Sequence, residues 1–293
     1  MCQTVAIAFF LAFTLQKTYN VKRIKKEKWG KRMTELVFIL VAFLASVIGC
    51  ICGIGGGVII KPVLDAFGLY SVSTISFMSG CIVLAMTTYS VVKATLAKES
   101  VIEKGVSTYL GIGAAVGGLL GKQLFDSVKA MFENADTVGA VQAAALFLVT
   151  LGTMLYTVNK SRIRTIEVKN PVACVLIGLS LGVMSSFLGI GGGPINLVVL
   201  YFFFSMETKT AAQNSLYIIL FSQLASFLFT VIGGKVPDFP VLLFAAMVCC
   251  GILGGMVGRK INKKIDGATV SKLFVGLMAV IMAICCYNFI RYC

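Results

Sequence analysis

Gly53-Ile54-Gly55-Gly56-Gly57 recurs 136 positions later as Gly189-Ile190-Gly191-Gly192-Gly193, and each copy interrupts an otherwise apolar run. A glycine inside a helix costs about 1 kcal/mol relative to alanine, and unpaired backbone in hydrocarbon costs several more. Such a run is tolerable where protein encloses it or where it lines a wet cavity. It offers bare backbone amides, and the helix that follows turns its positive end toward the break. The chemistry this suits is binding of a small anion by the amides of Gly55, Gly56, Gly57 and Val58, and by those of Gly191, Gly192 and Gly193. Pro194 then takes a first helical position, where a missing N–H costs nothing. Breaks in corresponding places of two repeats point to the substrate site of a transporter. The alternative is that the glycines only let helices approach closely. Gly113, Gly117 and Gly121, and Gly254 with Gly258, read that way at their spacing of four.

A second set of polar residues follows each break, in the helices expected to begin near Thr74 and Thr210. Ser90 lies 11 positions from Ser79, and Ser222 and Ser226 lie 7 and 11 positions from Ser215, so each set shares a helical face. Asn214, Gln213 and Gln223 add amide donors, and Thr87 stands where Gln223 stands. Neutral hydroxyls and amides can bind an anion without a costly buried cation; hydrogen bonding between helices is the other reading. Lys61 and Asp65 lie four residues apart on the short segment after the first break, with no charged counterpart at Leu197 and Tyr201. Either Lys61 attracts substrate, or it pairs with Asp65.

The elements that must carry these residues are membrane helices. Of 293 residues, 58% are hydrophobic and 13% charged, against about 45–50% and 25% in a soluble domain. At about 20 apolar residues per crossing there is room for roughly eight to ten crossings, which excludes a soluble enzyme and a single-span receptor. With no histidine in the chain, a His-containing metal site, a Ser-His-Asp triad and a His proton relay are excluded. Most of the ten cysteines fall in apolar runs, where cysteine acts as a small hydrophobe. Cys50-x-Cys52 finds no partner pair of metal-binding spacing, so neither a metal nor a cofactor is expected. Cys249-Cys250 and Cys285-Cys286 leave a membrane thiol redox enzyme as one rival; a polytopic receptor or scaffold is another. Neither rival accounts for duplicated breaks, and no enzyme activity is expected.

The net charge of +14 lies mostly between apolar runs. It reads as orientation charge and not as a nucleic-acid surface. The cluster from Lys22 to Arg32 can also touch anionic lipid of the bilayer. The apolar stretch before it reads as an N-terminal anchor with its start outside the membrane.

The glycine match extends along the chain. Thr74, Ser79 and Ser90 fall on Thr210, Ser215 and Ser226, and Gly117 to Lys122 fall on Gly254 to Arg259 with one residue of slippage. One register over separate elements implies an internal duplication. The expected organisation is an anchor and basic segment (1–33), a first transmembrane repeat (34–159), a basic linker (160–169) and a second repeat (170–293). The fold class is all-α polytopic, with two four-helix repeats whose first helices are broken by glycine. The pieces flanking each run, about 17 and 13 residues, are each short for a crossing and together too long for one. If each broken unit counts as one crossing, the repeats are parallel and Lys plus Arg divide 17 against 8 between the faces. If the unit enters and leaves by one face, the repeats are inverted and the division is 12 against 13. The asymmetry favours parallel repeats with a cytoplasmic C-terminus.

The doubled glycine motif, Val-Ile-Ile-Lys-Pro62 after the first copy and Pro-Ile-Asn196 after the second, the Ser79 and Ser215 helices and the glycine-rich later helices resemble the TauE/SafE family of sulfite exporters and sulfonate permeases. The resemblance covers about residues 34–290. It implies a secondary transporter of sulfite, sulfoacetate, related sulfonates or other small organic anions, working by alternating access. It marks Gly53 to Gly57, Pro62, Gly189 to Gly193, Ser79 and Ser215. Met78-Ser79-Gly80 departs from the Thr-Ser pair usual in the family, and the second half has Asn214-Ser215. Proton and sodium both stand as coupling ions, and the oligomeric state and the membrane of residence are left open.

Overall fold

A computed structural model describes residues 27–97, 104–132 and 135–292; the expected anchor lies outside them up to residue 26. The described residues form ten α-helices and no strand. Five precede the linker: α1 (Glu27–Cys52), α2 (Gly57–Phe67), α3 (Val72–Leu96), α4 (Lys104–Met131) and α5 (Ala135–Asn159). Five follow it: α6 (Pro171–Phe187), α7 (Pro194–Phe204), α8 (Thr208–Ile232), α9 (Val241–Lys264) and α10 (Gly267–Tyr292). Local chemistry sets several ends. Ser71 accepts from the Thr74 amide at 3.2 Å to start α3, and Asn170 accepts from the Val172 amide at 2.9 Å ahead of Pro171. α2 stops at Gly68 (φ 60°) and α7 at Ser205 (φ 51°), both left-handed.

Among the described residues, six helical stretches are long and apolar enough to cross a bilayer: Met33–Cys52, Val72–Leu96, Thr137–Asn159, Thr208–Ile232, Val241–Lys264 and Gly267–Tyr292. The chain is a multi-pass integral membrane protein. α4 is long enough too, but carries Lys104, Lys122, Asp126 and Lys129. α6 and α7 are shorter apolar helices.

At each glycine run the chain reverses. Ile54 donates to the carbonyl of Gly49 at 3.0 Å, and Gly56 packs on Ser46. Farther down the hairpin, the Phe38 and Phe67 rings meet edge to face at 5.2 Å. α1 and α2 therefore form a re-entrant hairpin. Across the linker, the amides of Ile166 and Val168 donate to the carbonyls of Phe202 and Phe203 at 2.7 and 2.9 Å, bringing the start of α6 to the end of α7.

Helix directions follow from contact register. Gly254 meets Phe43 and Ser46, Gly258 meets Val47 and Cys50, and Asn262 donates to Ile51, so α9 runs parallel to α1. Gly251 with Ile82, Gly255 with Met86 and Arg259 with Ser90 make α9 parallel to α3 as well. α4 runs parallel to α6, with Gly113 on Val175 and Gly121 on Val183. It also runs parallel to α8, with Gly111 on Phe221 and Gly118 accepting from Ser226. α3 and α8 cross antiparallel, Phe77 facing Phe227 and Gly80 facing Gln223. Helices α1, α3 and α4 thus each run opposite to their counterparts α6, α8 and α9. This corrects the parallel arrangement that the charge count favoured. The hairpins enter and leave by one face, the arrangement for which the sequence count was 12 against 13.

The packing between the two sets is reciprocal: α4 packs most extensively on α6, and α9 on α1. Glycine makes the approach possible. A Cβ at Gly117 would overlap the Leu179 carbonyl, and one at Gly254 would stand 2.5 Å from the Phe43 carbonyl. Gly117→Leu should force α4 from α6 and lower stability by about 1–3 kcal/mol or more. Gly152→Ala, whose Cβ meets nothing within 4 Å, should raise it by about 0.5–1 kcal/mol. Thermal unfolding in detergent reads both.

Candidate functional site

The two turns meet at the centre of the molecule. Gly53 (φ 74°), Gly55 (φ 73°), Gly189 (φ 64°), Gly191 (φ 68°) and Gly192 (φ 131°) are all left-handed, a region side chains resist. Each turn lies against the opposite set of helices: Gly53 on Ala212 of α8, Gly189 on Ser76 of α3. They also touch each other. A Cβ at Gly57 would overlap the carbonyl of Ile190, and one at Gly192 would stand 3.1 Å from that of Ile54. Val83 of α3 and Ile219 of α8 flank the contact, both buried. Gly193 differs, being extended (φ −163°) with only Ile190 and Ile195 near its Cβ position.

Hydroxyls gather around the first turn. Ser79 Oγ would lie 3.0 Å from a Cβ on Gly57, and Ser46 Oγ 3.2 Å from one on Gly56. Both side chains are wholly buried, and neither oxygen has a hydrogen-bond partner among the described residues. Ser215 and Ser222 on α8 are buried and lack a partner likewise. Buried hydroxyls left unpaired cost about 1–3 kcal/mol each. Val58 is buried one residue inside α2, and Pro194 opens α7 as its first residue. Ser46 was not singled out in the sequence, and its counterpart at the same offset is Gly182, so no repeat signal pointed to it.

Other expected donors are engaged elsewhere. Asn214 donates to the Thr210 carbonyl at 2.8 Å and accepts from Ser107. Thr87 donates to Val83 at 2.8 Å within its own helix. Ser90 donates to Met86 at 2.9 Å, and Ser226 meets Ser186 at 2.5 Å. Gln223 reaches Ser185 at 3.4 Å. Lys61 and Asp65 form a buried pair at 2.5 Å, and Lys61 lines neither cavity.

Two cavities flank the turns. The larger, about 300 Å³, lies between α1, α3, α8 and α9 and is lined by Cys50, Ser90, Gln213, Arg259, Asn262 and Lys263 among others. The smaller, about 40 Å³, includes Ser76, Lys122, Ser186, Gly189, Gln223 and Ser226 in its wall. Arg259, Lys263 and Lys122 were read in the sequence as orientation charges, although the match of Gly117–Lys122 with Gly254–Arg259 contained two of them. Among the described residues, no three His, Cys, Asp or Glu side chains gather as a metal site.

The family model described as Sulfite exporter TauE/SafE matches residues 38–284. The chain is 23% identical over 260 residues to the probable membrane transporter protein YunE of Bacillus subtilis, covering 81% of this chain and 92% of that protein. It is 24% identical over 277 residues to the probable membrane transporter protein MamO of Magnetospirillum gryphiswaldense. That match takes 83% of this chain but spans only 43% of MamO. No solved structure matches the chain significantly.

Proposed function

The chain belongs to the sulfite exporter TauE/SafE family of membrane proteins, and from that premise we propose that it is a secondary carrier of a small oxyanion, sulfite or an organosulfonate, working by alternating access. The observation that carries this reading is the contact between two buried glycine turns, each opening a helix, with the unpartnered hydroxyls of Ser79 and Ser46 beside the first of them. The first amides of a helix lack intrahelical partners and its N-terminal end is positive. Hydroxyls without partners supply further donors. Together they suit an anion that sheds its water on entering. Opposed helix directions and reciprocal packing of α4 on α6 and α9 on α1 support an inverted duplication, the design in which one half rocks against the other around a fixed site.

The test is uptake by the full chain reconstituted in proteoliposomes, with sulfite, sulfoacetate, alkyl sulfonates and carboxylates as substrates and proton or sodium gradients imposed in turn. Saturable flux of at least one oxyanion is expected, lost in the Gly192→Leu, Ser215→Leu double variant. Absence of flux for every anion, or full flux in that variant, overturns the proposal.

A further inference from the structure

The two cavities are made from corresponding residues. Cys50, Ser90, Ala94 and Arg259 line the larger one, and Ser186, Ser226, Thr230 and Lys122 line the smaller. Members of each pair stand 136 or 137 positions apart, the offsets at which the glycine runs and the glycine-rich helices match. Arg259 lies toward the end of α9 and Lys122 toward the end of α4. These helices run in opposite directions, so the cavities open toward opposite faces. Each also abuts a glycine turn: Ala212 of the larger packs on Gly53, and Gly189 itself lines the smaller.

They differ in two ways. At about 300 Å³ the first reaches the lower end of the range for ligand pockets, while about 40 Å³ holds no more than a few waters. Among the described residues that line it, the larger wall carries Arg259 and Lys263. On the other side Asp126 takes the position corresponding to Lys263, 3.9 Å from Lys122 and 3.0 Å from Lys235. An acid thus stands at the smaller mouth where the larger has a base.

We propose that these cavities are the two mouths of a single anion path, and that Arg259 and Lys122 are the cations that receive the oxyanion group at opposite faces, with the Arg259 mouth open in this conformation. The proposal rests on the carrier reading above. A guanidinium fork suits two oxygens of a sulfonate or carboxylate. Val91, Ala94 and Leu216 beside it suit the short carbon body of an organic anion. The rival account is that Arg259 and Lys122 only complement helix C-termini.

Ala94→Cys and Thr230→Cys, each in the full chain with its own cysteines replaced, place thiols at corresponding points of the two mouths. Membrane-impermeant sulfonatoethyl methanethiosulfonate and its trimethylammonium analogue are added to right-side-out and to inverted vesicles. The Ala94 position should react from one face and the Thr230 position from the other. The anionic reagent should outpace the cationic one by about tenfold at Ala94, and Arg259→Gln with Lys263→Gln should bring the ratio near one. Transport by the otherwise unaltered chain gives a second readout: Arg259→Gln should raise KM about tenfold with a smaller change in kcat, and Arg259→Lys should recover part of it. Labelling of both positions from one face, or flux with KM unmoved by Arg259→Gln, overturns the inference while leaving the carrier reading standing. Opposite-face labelling without flux of any anion overturns the carrier reading, and the path with it.

Discussion

Gly57→Ala is expected to abolish anion flux. Its methyl group would overlap the carbonyl oxygen of Ile190 and press on Ser79 Oγ at 3.0 Å. The carbonyl is backbone within the opposing turn, so no flexible side-chain end can yield. The turns must separate, at about 1–3 kcal/mol for an overpacked core site, and the helix start that faces the second turn moves with them. Gly193→Ala, in the second turn, is the internal comparison. That residue is extended, and its nearest neighbour to a Cβ is the end of the Ile190 side chain at 3.3 Å. It should keep most of the wild-type flux. Initial rates in proteoliposomes, normalised to folded protein, separate the two. Equal loss in both variants would mean that the glycines act through general flexibility and not through the contact between turns.

The second large effect concerns Lys61 and Asp65. Asp65→Leu leaves an ammonium group buried without its counter-charge, and should lower stability by about 3–5 kcal/mol. Lys61→Met with Asp65→Leu should recover most of that loss, because replacing both members of a buried pair by apolar groups of similar size is often neutral or better. Arg291 donates to the carbonyls of Asp65 and Ala66 at the end of α2, and Asn288 donates to that of Pro62 at 2.8 Å. This anchorage by α10 remains in the double variant. The geometry therefore favours pairing over substrate attraction for Lys61. Unfolding midpoints in detergent test the stability claim, and flux near wild type in the double variant tests the assignment of the pair to structure. A double variant as unstable as the single one would contradict both.

What the sequence made legible follows from chemistry that is local. A glycine run between apolar segments predicts a break wherever the chain goes next, and both breaks are there. Small residues spaced by four predict close helix contact, and Gly113, Gly117, Gly121, Gly254 and Gly258 each press on a neighbouring carbonyl or backbone. What was not legible depends on partners remote in the chain. The charge count treated basic residues at the ends of α4 and α9 as loop charges, yet Arg259 and Lys263 line a cavity. Counting them as orientation signals favoured the wrong helix directions and hid their place in a cavity wall. Asn214 carries the right chemistry for an anion, but Ser107 on α4, 107 residues away, occupies its carbonyl. No periodicity in α8 could have announced that. Ser46 sits before the first glycine run with glycine at its counterpart, so only the reversal of the chain brings it to the turn.

Counterflow tests the central claim most directly. Vesicles holding the full chain and preloaded with unlabelled sulfite or sulfoacetate are diluted into a trace of the labelled anion. A carrier that opens to the two faces in turn predicts a transient accumulation of label above equilibrium, absent in Gly57→Ala. Monotonic equilibration at a rate independent of the preload would contradict alternating access through the paired turns.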